Sequence, residues 1–323
     1  MSIEKRQNLT VVVPAYNEAA VLQAFQQRLA TVLDTLDLDA EVLYVDDGSS
    51  DDTWRLIRNF TATDPRVGGV CLSRNFGKEA ALSAGLDQVG EDTDAVVVID
   101  ADLQDPPELI PQLVAQWRQG SDVVYAVRTT RAGETRFKRF TAAAFYRTMG
   151  RLSDTPIPHD TGDFRLLSRR ALQALRRLPE RQRFMKGLFA WIGFEQTGIR
   201  YQRDPRHSGR SKWNYWRLWN LAVEGITSFS TLPLRIATWA GLLTSLTAFG
   251  FGAWVLLKAL IWGDPVRGYP SLMTVILFLG GVQLLALGVI GEYLGRIYAE
   301  TKQRPLYLIR EQHRPERANP RPD

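Results

Sequence analysis

Asp100-Ala101-Asp102 closes the apolar run Ala95 to Ile99, so two carboxylates stand two residues apart at the end of a β-branched segment. A short run of that kind reads as a buried strand. It delivers its acids to the edge of a sheet, where open α/β sheets take their ligands. With Leu103-Gln104-Asp105-Pro106-Pro107 behind them, the carboxylates can hold a hard divalent cation that completes its shell with water and diphosphate oxygens. Asp and Pro are also ordinary turn formers. Taken alone, the triplet is either a metal-dependent nucleotide-sugar site or a solvated acidic turn.

Two further polar strand ends precede it. Leu9 to Pro14 runs into Ala15-Tyr16-Asn17-Glu18, and Glu41 to Val45 runs into Asp46-Asp47-Gly48-Ser49. Carboxylates there can accept hydrogen bonds from base N–H groups and ribose hydroxyls, and the Gly-Ser turn can cap the next helix. No Gly-x-Gly-x-x-Gly follows the first strand and no P-loop pattern occurs, so neither dinucleotide binding nor P-loop chemistry is supported.

The elements that must carry these ends alternate. Leu9 to Pro14, Glu41 to Val45, Val67 to Leu72, Ala95 to Ile99 and Val123 to Val127 read as strands. Ala19 to Leu36, Asp51 to Phe60, Lys78 to Val89 and Pro107 to Gln119 read as helices between them. This order predicts a mostly parallel sheet covered by helices on both faces.

Beyond about Trp219 the character changes. Ile236 to Trp262 and Leu272 to Gly291 are almost uninterrupted apolar stretches, and Lys258 is the one formal charge in either. Each is long enough to cross a bilayer, which takes roughly 20 residues of helix. A short turn-rich linker from Gly263 to Pro270 separates them, so they are expected to form an antiparallel hairpin with both chain ends on one side. Arg203, Arg206, Arg210, Lys212, Arg217 and Arg235 precede the hairpin, and Arg296, Lys302, Arg304, Arg310, Arg314, Arg317 and Arg321 follow it. The positive-inside tendency puts that side in the cytoplasm. Met1 to Asn8 leads straight into a short strand without a signal-peptide pattern, and Cys71 is the single cysteine, which fits a reducing compartment. The net charge of +5 is concentrated at the membrane boundary, so anionic lipid, and not nucleic acid, is the expected polyanionic partner.

The motifs Val11-Val12-Val13-Pro14-Ala15-Tyr16-Asn17-Glu18, Val45-Asp46-Asp47-Gly48-Ser49, Asn75-Phe76-Gly77-Lys78 and Asp100-Ala101-Asp102-Leu103-Gln104-Asp105-Pro106-Pro107-Glu108 resemble those of glycosyltransferase family 2. With the two spans, the chain resembles the polyprenyl-phosphate glycosyltransferases within it, namely dolichol-phosphate mannose synthases and bactoprenol glucosyltransferases. The stretches Asp160 to Arg165, Leu178 to Gly187, Asn214 to Trp216 and Gly225 to Ser230 look most like the bactoprenol branch. The resemblance implies an α/β fold of GT-A type, Rossmann-like with a mostly parallel sheet, followed by a two-helix transmembrane hairpin. Expected boundaries are a catalytic domain over 1–212, an amphipathic juxtamembrane segment over 213–231, a hairpin over 232–292 with spans at about 236–262 and 271–291, and a basic cytoplasmic tail over 293–323.

It also implies roles. Pro14, Tyr16, Glu18, Asp46, Asp47, Lys78, Asp100 and Ala101 correspond to nucleotide-binding positions. Asp102, Asp100 and Gln104 correspond to the Mg²⁺ or Mn²⁺ site, with Asp102 the expected direct ligand. Asp163 corresponds to a base, or to a group that positions the sugar or the phosphate. Arg128, Arg131, Lys138 and Arg139 suit the lipid phosphate, since guanidinium forks match phosphate oxygens. Arg206, Ser211 and Lys212 lie in a loop that either closes on the diphosphate or contacts the membrane, while His207 has no companions for a metal cluster. Trp213, Trp216 and Trp219 either sit at headgroup level or pack on the hairpin.

The implied reaction is inverting transfer of a sugar from a sugar nucleotide to undecaprenyl phosphate on a bacterial inner membrane, with catalytic domain and both termini cytoplasmic. UDP-glucose is the favoured donor, and GDP-mannose, UDP-N-acetylglucosamine and a UDP-aminoarabinose derivative are the alternatives. A processive polysaccharide synthase expects a Gln-x-x-Arg-Trp motif, which is absent. A non-catalytic membrane scaffold expects decayed acidic strand ends, and these are intact. Gly280-Gly281 and other small residues suggest homo-oligomer contacts within the bilayer.

Overall fold

Valine-rich strands and helices alternate along the first part of the chain, and the strands assemble into one sheet. The structure, a computed structural model, describes residues 6–128, 161–181, 183–201, 232–262 and 268–315. The first half runs β1 (Asn8–Ala15), α1 (Ala19–Asp34), β2 (Asp39–Asp46), α2 (Thr53–Thr63), β3 (Val67–Leu72), α3 (Lys78–Gln88) and β4 (Ala95–Val98). A 3₁₀ turn (Pro107–Leu109) leads into α4 (Ile110–Arg118) and β5 (Val123–Arg128). Then follow β6 (Thr161–Ser168), α5 (Arg169–Arg176), α6 (Met185–Trp191) and β7 (Gln196–Tyr201). Two long helices, α7 (Leu232–Trp262) and α8 (Tyr269–Thr301), precede a last strand, β8 (Ile309–His313).

The sheet order is β7-β5-β6-β4-β1-β2-β3-β8. β1 pairs in parallel with both β2 and β4, so strand order reverses between β1 and β4. An open sheet has its ligand crevice at such a reversal, beyond the carboxyl ends of the strands. Alternation along the strands divides the core. Val11, Val13, Val97 and Ile99 pack with α1, α2 and α4, while Val12, Val96 and Val98 pack with α3, α5 and α6. Helix α3 carries seven consecutive buried residues, Ala80 to Leu86, because its small side chains let it lie close to the sheet. A Cβ on Gly85 would come within 2.4 Å of the Val12 side chain.

Antiparallel pairing enters at β6, which inserts between β4 and β5. Neither β6 nor β7 is among the strands expected from the sequence, because polar residues and a glycine interrupt each and leave no apolar run at its start.

The end of the chain differs from the expected basic tail over 293–323. Helix α8 continues ten residues past the expected end of the span at 291, and an Arg296–Glu292 ion pair at 3.1 Å links successive turns there. Beyond it, β8 returns to the catalytic domain and pairs antiparallel with β3 at the sheet edge. Ile309-Arg310-Glu311-Gln312-His313 shows no apolar run, since an edge strand draws its stability from ladder bonds and tolerates charge.

Helices α7 and α8 are long and apolar enough to cross a membrane. At 1.5 Å per residue, 31 residues of α7 extend about 46 Å, more than the roughly 30 Å hydrocarbon thickness. Phe249 is 81% exposed and Leu285 73%. A continuous apolar surface of this kind marks a lipid or protein contact. The linker residues 263–267 and the juxtamembrane segment at 213–231 lie outside the described residues.

Candidate active site

The loops after β1 and β2 are tied together before any ligand is considered. Asn17, at a left-handed φ of 56°, donates its N–H to Ser49 Oγ at 2.9 Å, and its Oδ1 accepts from Ser50 N at 2.9 Å. Asparagine tolerates that region better than most side chains. The Glu18 N–H donates to Thr53 Oγ1 at 2.9 Å. Tyr16, just past the end of β1, is 43% exposed. Gly48, at φ 64°, lies so close to the next loop that a Cβ would approach Arg74 C to 2.4 Å.

Asp46 and Asp47 are both buried but have different partners. Asp46 accepts from Ser49 N at 3.2 Å and from the Cys71 thiol at 3.2 Å. Asp47 accepts from Phe76 N at 2.7 Å through one oxygen and from Gly77 N at 2.9 Å through the other. Asp47 therefore clamps the Asn75-Phe76-Gly77 loop that starts α3. Burial raises its pKa, and the two N–H donors oppose that shift.

The clamp places Lys78 at the first position of α3. Its ammonium lies 2.7 Å from Asp100 Oδ2 and 2.5 Å from Asp163 Oδ2. The two carboxylates meet because β4 and β6 are antiparallel. Val98 pairs with Arg165, so two residues further along, Asp100 and Asp163 stand opposite each other. Burial would raise the Asp163 pKa, but Lys78 and then Lys186 outweigh it and hold the group below the usual carboxylate range. Asp100, half-buried and facing Asp163, is shifted upward by desolvation in spite of Lys78. Lys78 is 46% exposed; partial desolvation lowers its pKa, and its two carboxylate partners more than reverse this.

Behind the cluster sit two groups that the sequence reading gave no role. Glu79 accepts from Met185 N at 3.3 Å, and burial, followed by Asp163, pushes its pKa up to about 7. Arg165 is buried, donates to Gly162 O at 2.9 Å and lies 3.8 Å from the Phe189 ring centroid. Burial brings its pKa down to about 10. Both could be suspected only from adjacency to Lys78 and Asp163, because neither completes a motif of its own.

The β4 loop turns sharply. Leu103 has φ 58°, and Gln104 N donates back to Asp102 Oδ1 at 3.1 Å. Tyr201, at the end of β7, donates to Asp105. Among the described residues no three carboxylate, histidine or cysteine side chains converge as a closed metal cage. The donors at hand are oxygen ligands from Asp100, Asp102 and the Gln104 amide. Gln104 Nε2 and Asp163 Oδ1 are buried without a hydrogen-bond partner. Such orphaned groups suit an oxygen-rich ligand. This set fits Mg²⁺ or Mn²⁺, which take few protein ligands and complete the shell with phosphate and water.

Pro14 and Ala101 flank the crevice, Ala101 buried and Pro14 inside β1. Arg128 is the last residue of β5, paired with Tyr201 of β7. Arg131, Lys138, Arg139, Arg206, His207, Ser211, Lys212, Trp213, Trp216 and Trp219 lie outside the described residues.

Residues 10–176 match the model of glycosyl transferase family 2, and residues 232–297 match the GtrB C-terminal hairpin. An uncharacterised glycosyltransferase of Synechocystis sp. is 52% identical over 301 residues, covering 93% of this chain and 94% of its own. A prophage-derived bactoprenol glucosyl transferase of Shigella flexneri is 46% identical over 306 residues, covering 95% and 98%. Among solved structures, a mannosyltransferase of Pyrobaculum calidifontis in complex with GDP-Man and Mn²⁺ matches with a TM-score of 0.47 at 19% identity, covering 88% of each chain. With acidic strand ends at the sheet reversal and an apolar helix pair beyond them, the chain belongs to glycosyltransferase family 2 and carries a C-terminal hairpin of the GtrB type.

Proposed function

We propose that the protein transfers a sugar, with inversion at the anomeric carbon, from a sugar nucleotide to a polyprenyl phosphate. The observation that carries this reading is the meeting of Asp100 and Asp163 across Lys78 at the β1/β4 crevice. UDP-glucose is the proposed donor, supported by the 46% identity to a bactoprenol glucosyl transferase. GDP-mannose, UDP-N-acetylglucosamine and a UDP-aminoarabinose derivative are the competing donors. The apolar helices, with Arg296, Lys302 and Arg304 at the end of α8, support residence in a bacterial inner membrane with the catalytic domain and both ends cytoplasmic.

In this reading the buried Asp46 holds the Gly48-Ser49 turn that borders the base, and Tyr16 offers its ring to the base. Asp100, Asp102 and Gln104 would hold Mg²⁺ or Mn²⁺, which when bound supplies positive charge to the departing diphosphate. Lys78 fixes the direction of Asp100 and Asp163 and keeps their mutual repulsion from opening the site. Asp163, ionised throughout the neutral range, is a weak base and a strong acceptor for sugar hydroxyls. The attacking phosphate needs little help, because its second pKa is about 6. Arg128, Arg131, Lys138 and Arg139 are assigned to that phosphate, and Arg206, Ser211 and Lys212 to the diphosphate.

The test is to incubate membranes containing the protein with undecaprenyl phosphate and a panel of labelled sugar nucleotides, then to extract lipid. Label from UDP-glucose well above a Lys78→Met control supports the reading. Label from another donor alone replaces glucose, and no lipid label from any donor sinks the acceptor assignment.

A further inference from the structure

Asp46 is a fully buried carboxylate, and a charge so placed needs compensation. Its partner in the β2–β3 ladder is Cys71, whose thiol donates to Asp46 Oδ2 at 3.2 Å. From the other side, an Arg310 guanidinium nitrogen lies 2.9 Å from Cys71 Sγ. The sulfur thus accepts from a cation while its S–H donates to a carboxylate. Burial and Asp46 push the thiol up to about 12, so the proton stays on sulfur.

Arg310 belongs to β8, the strand that returns from the second apolar helix, and that strand is held firmly. Ser73 N donates to Leu308 O at 2.8 Å, Trp54 Nε1 to Glu311 Oε2 at 3.0 Å, and Tyr307 OH to Asp87 Oδ2 at 2.9 Å. These contacts fix the backbone from which Arg310 reaches inward.

We propose that Arg310 is a positioning residue for the donor nucleotide, holding Asp46, and with it the Ser49 turn that Asp46 anchors, in place through the Cys71 thiol. The inference rests on the assignment of Asp46 to the nucleotide made above. Its consequence is that the segment beyond the membrane helices, far from the family motifs in sequence, contributes to donor affinity.

The test uses the full chain in lipid nanodiscs, with UDP plus Mn²⁺ as the calorimetric probe and steady-state kinetics alongside. Arg310→Gln is expected to weaken UDP binding about tenfold, the scale on which an outer-shell partner acts. The KM for the donor should rise by a similar factor, with kcat and the KM for lipid phosphate little changed. Arg310→Lys, which keeps the charge, should recover part of the loss, and Cys71→Ser, which keeps a donor and an acceptor, most of the affinity. Cys71→Ala should weaken binding as Arg310→Gln does, and the double variant should be no weaker than the worse single, as expected for residues acting in series. Normal UDP affinity in Arg310→Gln alongside lost affinity in Asp46→Asn overturns the relay and leaves the donor site standing. Full additivity of Arg310→Gln and Cys71→Ala also overturns it, since Arg310 would then act without the thiol. Normal affinity in Asp46→Asn overturns the donor assignment and the relay together.

Discussion

Asp100, just past the end of β4, and Asp163, on the antiparallel β6, share the Lys78 ammonium, which lies 2.7 Å from one carboxylate and 2.5 Å from the other. Two carboxylates in such proximity repel unless a positive charge stands between them. The arrangement makes Lys78 a keystone of the site as well as a candidate nucleotide contact.

Lys78→Met should therefore lower kcat/KM for lipid glycosylation by about 10²-fold, the scale of losing one fixed electrostatic contact. Lys78 is 46% exposed, so the accompanying destabilisation should be only about 1 kcal/mol. Adding Asp163→Asn to Lys78→Met should restore the melting temperature but not the rate. A Lys78→Met enzyme of normal turnover would remove Lys78 from the chemistry.

Asp163→Asn separates a base from a positioning group. Lys78 and Lys186 overcome the effect of burial and keep Asp163 ionised across neutral pH, so its titration lies below the working range. The variant should lose roughly 10²-fold or more in kcat, while the pH–rate profile between pH 5 and 8 keeps its shape. Disappearance of an acidic limb within that interval would instead identify Asp163 as the base.

Glu79 makes stability depend on pH in an unusual direction. Its folded pKa is pushed from 4.5 up to about 7 by burial first and Asp163 second. Between those values the folded chain holds a proton that the unfolded chain has released. Stability from this group is therefore greatest below about pH 4.5 and is lost as pH rises through 7. Glu79→Gln should flatten that slope and stabilise the protein at pH 8 by roughly 1–3 kcal/mol. Melting temperatures of both forms from pH 5 to 8 decide it, and parallel curves would count against the assignment.

Chelation should abolish turnover, and either Mg²⁺ or Mn²⁺ should restore it. In Mn²⁺ titrations with UDP present, Asp102→Ala should weaken metal binding at least about tenfold. Asp100→Ala should weaken it less, because Asp100 already faces Lys78 at 2.7 Å. The reverse order would exchange their roles.

Topology is open to a labelling test. Asp264→Cys, in the linker between the apolar helices, should react with a membrane-impermeant thiol reagent added outside intact cells. Buried Cys71 should remain unlabelled. Reaction only after lysis would reverse the proposed orientation.

The contiguous sequence made the first five strands, the helices between them and the two apolar helices legible, since each carries its own periodicity. It also carried the acidic strand ends at Asp46, Asp100 and Asp102. It did not show that Asp47 holds the α3 loop with both oxygens, because a carboxylate that binds backbone N–H groups and one that binds a base look alike in a motif. Strand β6 was missed because Thr161-Gly162-Asp163-Phe164-Arg165 lacks an apolar run, and its placement depends on β4 and β5.

The sequence by itself determined the family, the α/β class and the acidic residue types at the strand ends, because local patterning and short motifs carry that information. Tertiary structure decided that Asp163 meets Asp100, that one lysine serves both, and that the chain's last strand reaches Asp46 through Cys71. Antiparallel register and edge-strand pairing join residues distant along the chain, and such pairings are fixed by hydrogen-bond ladders that leave little trace in the local order of residues.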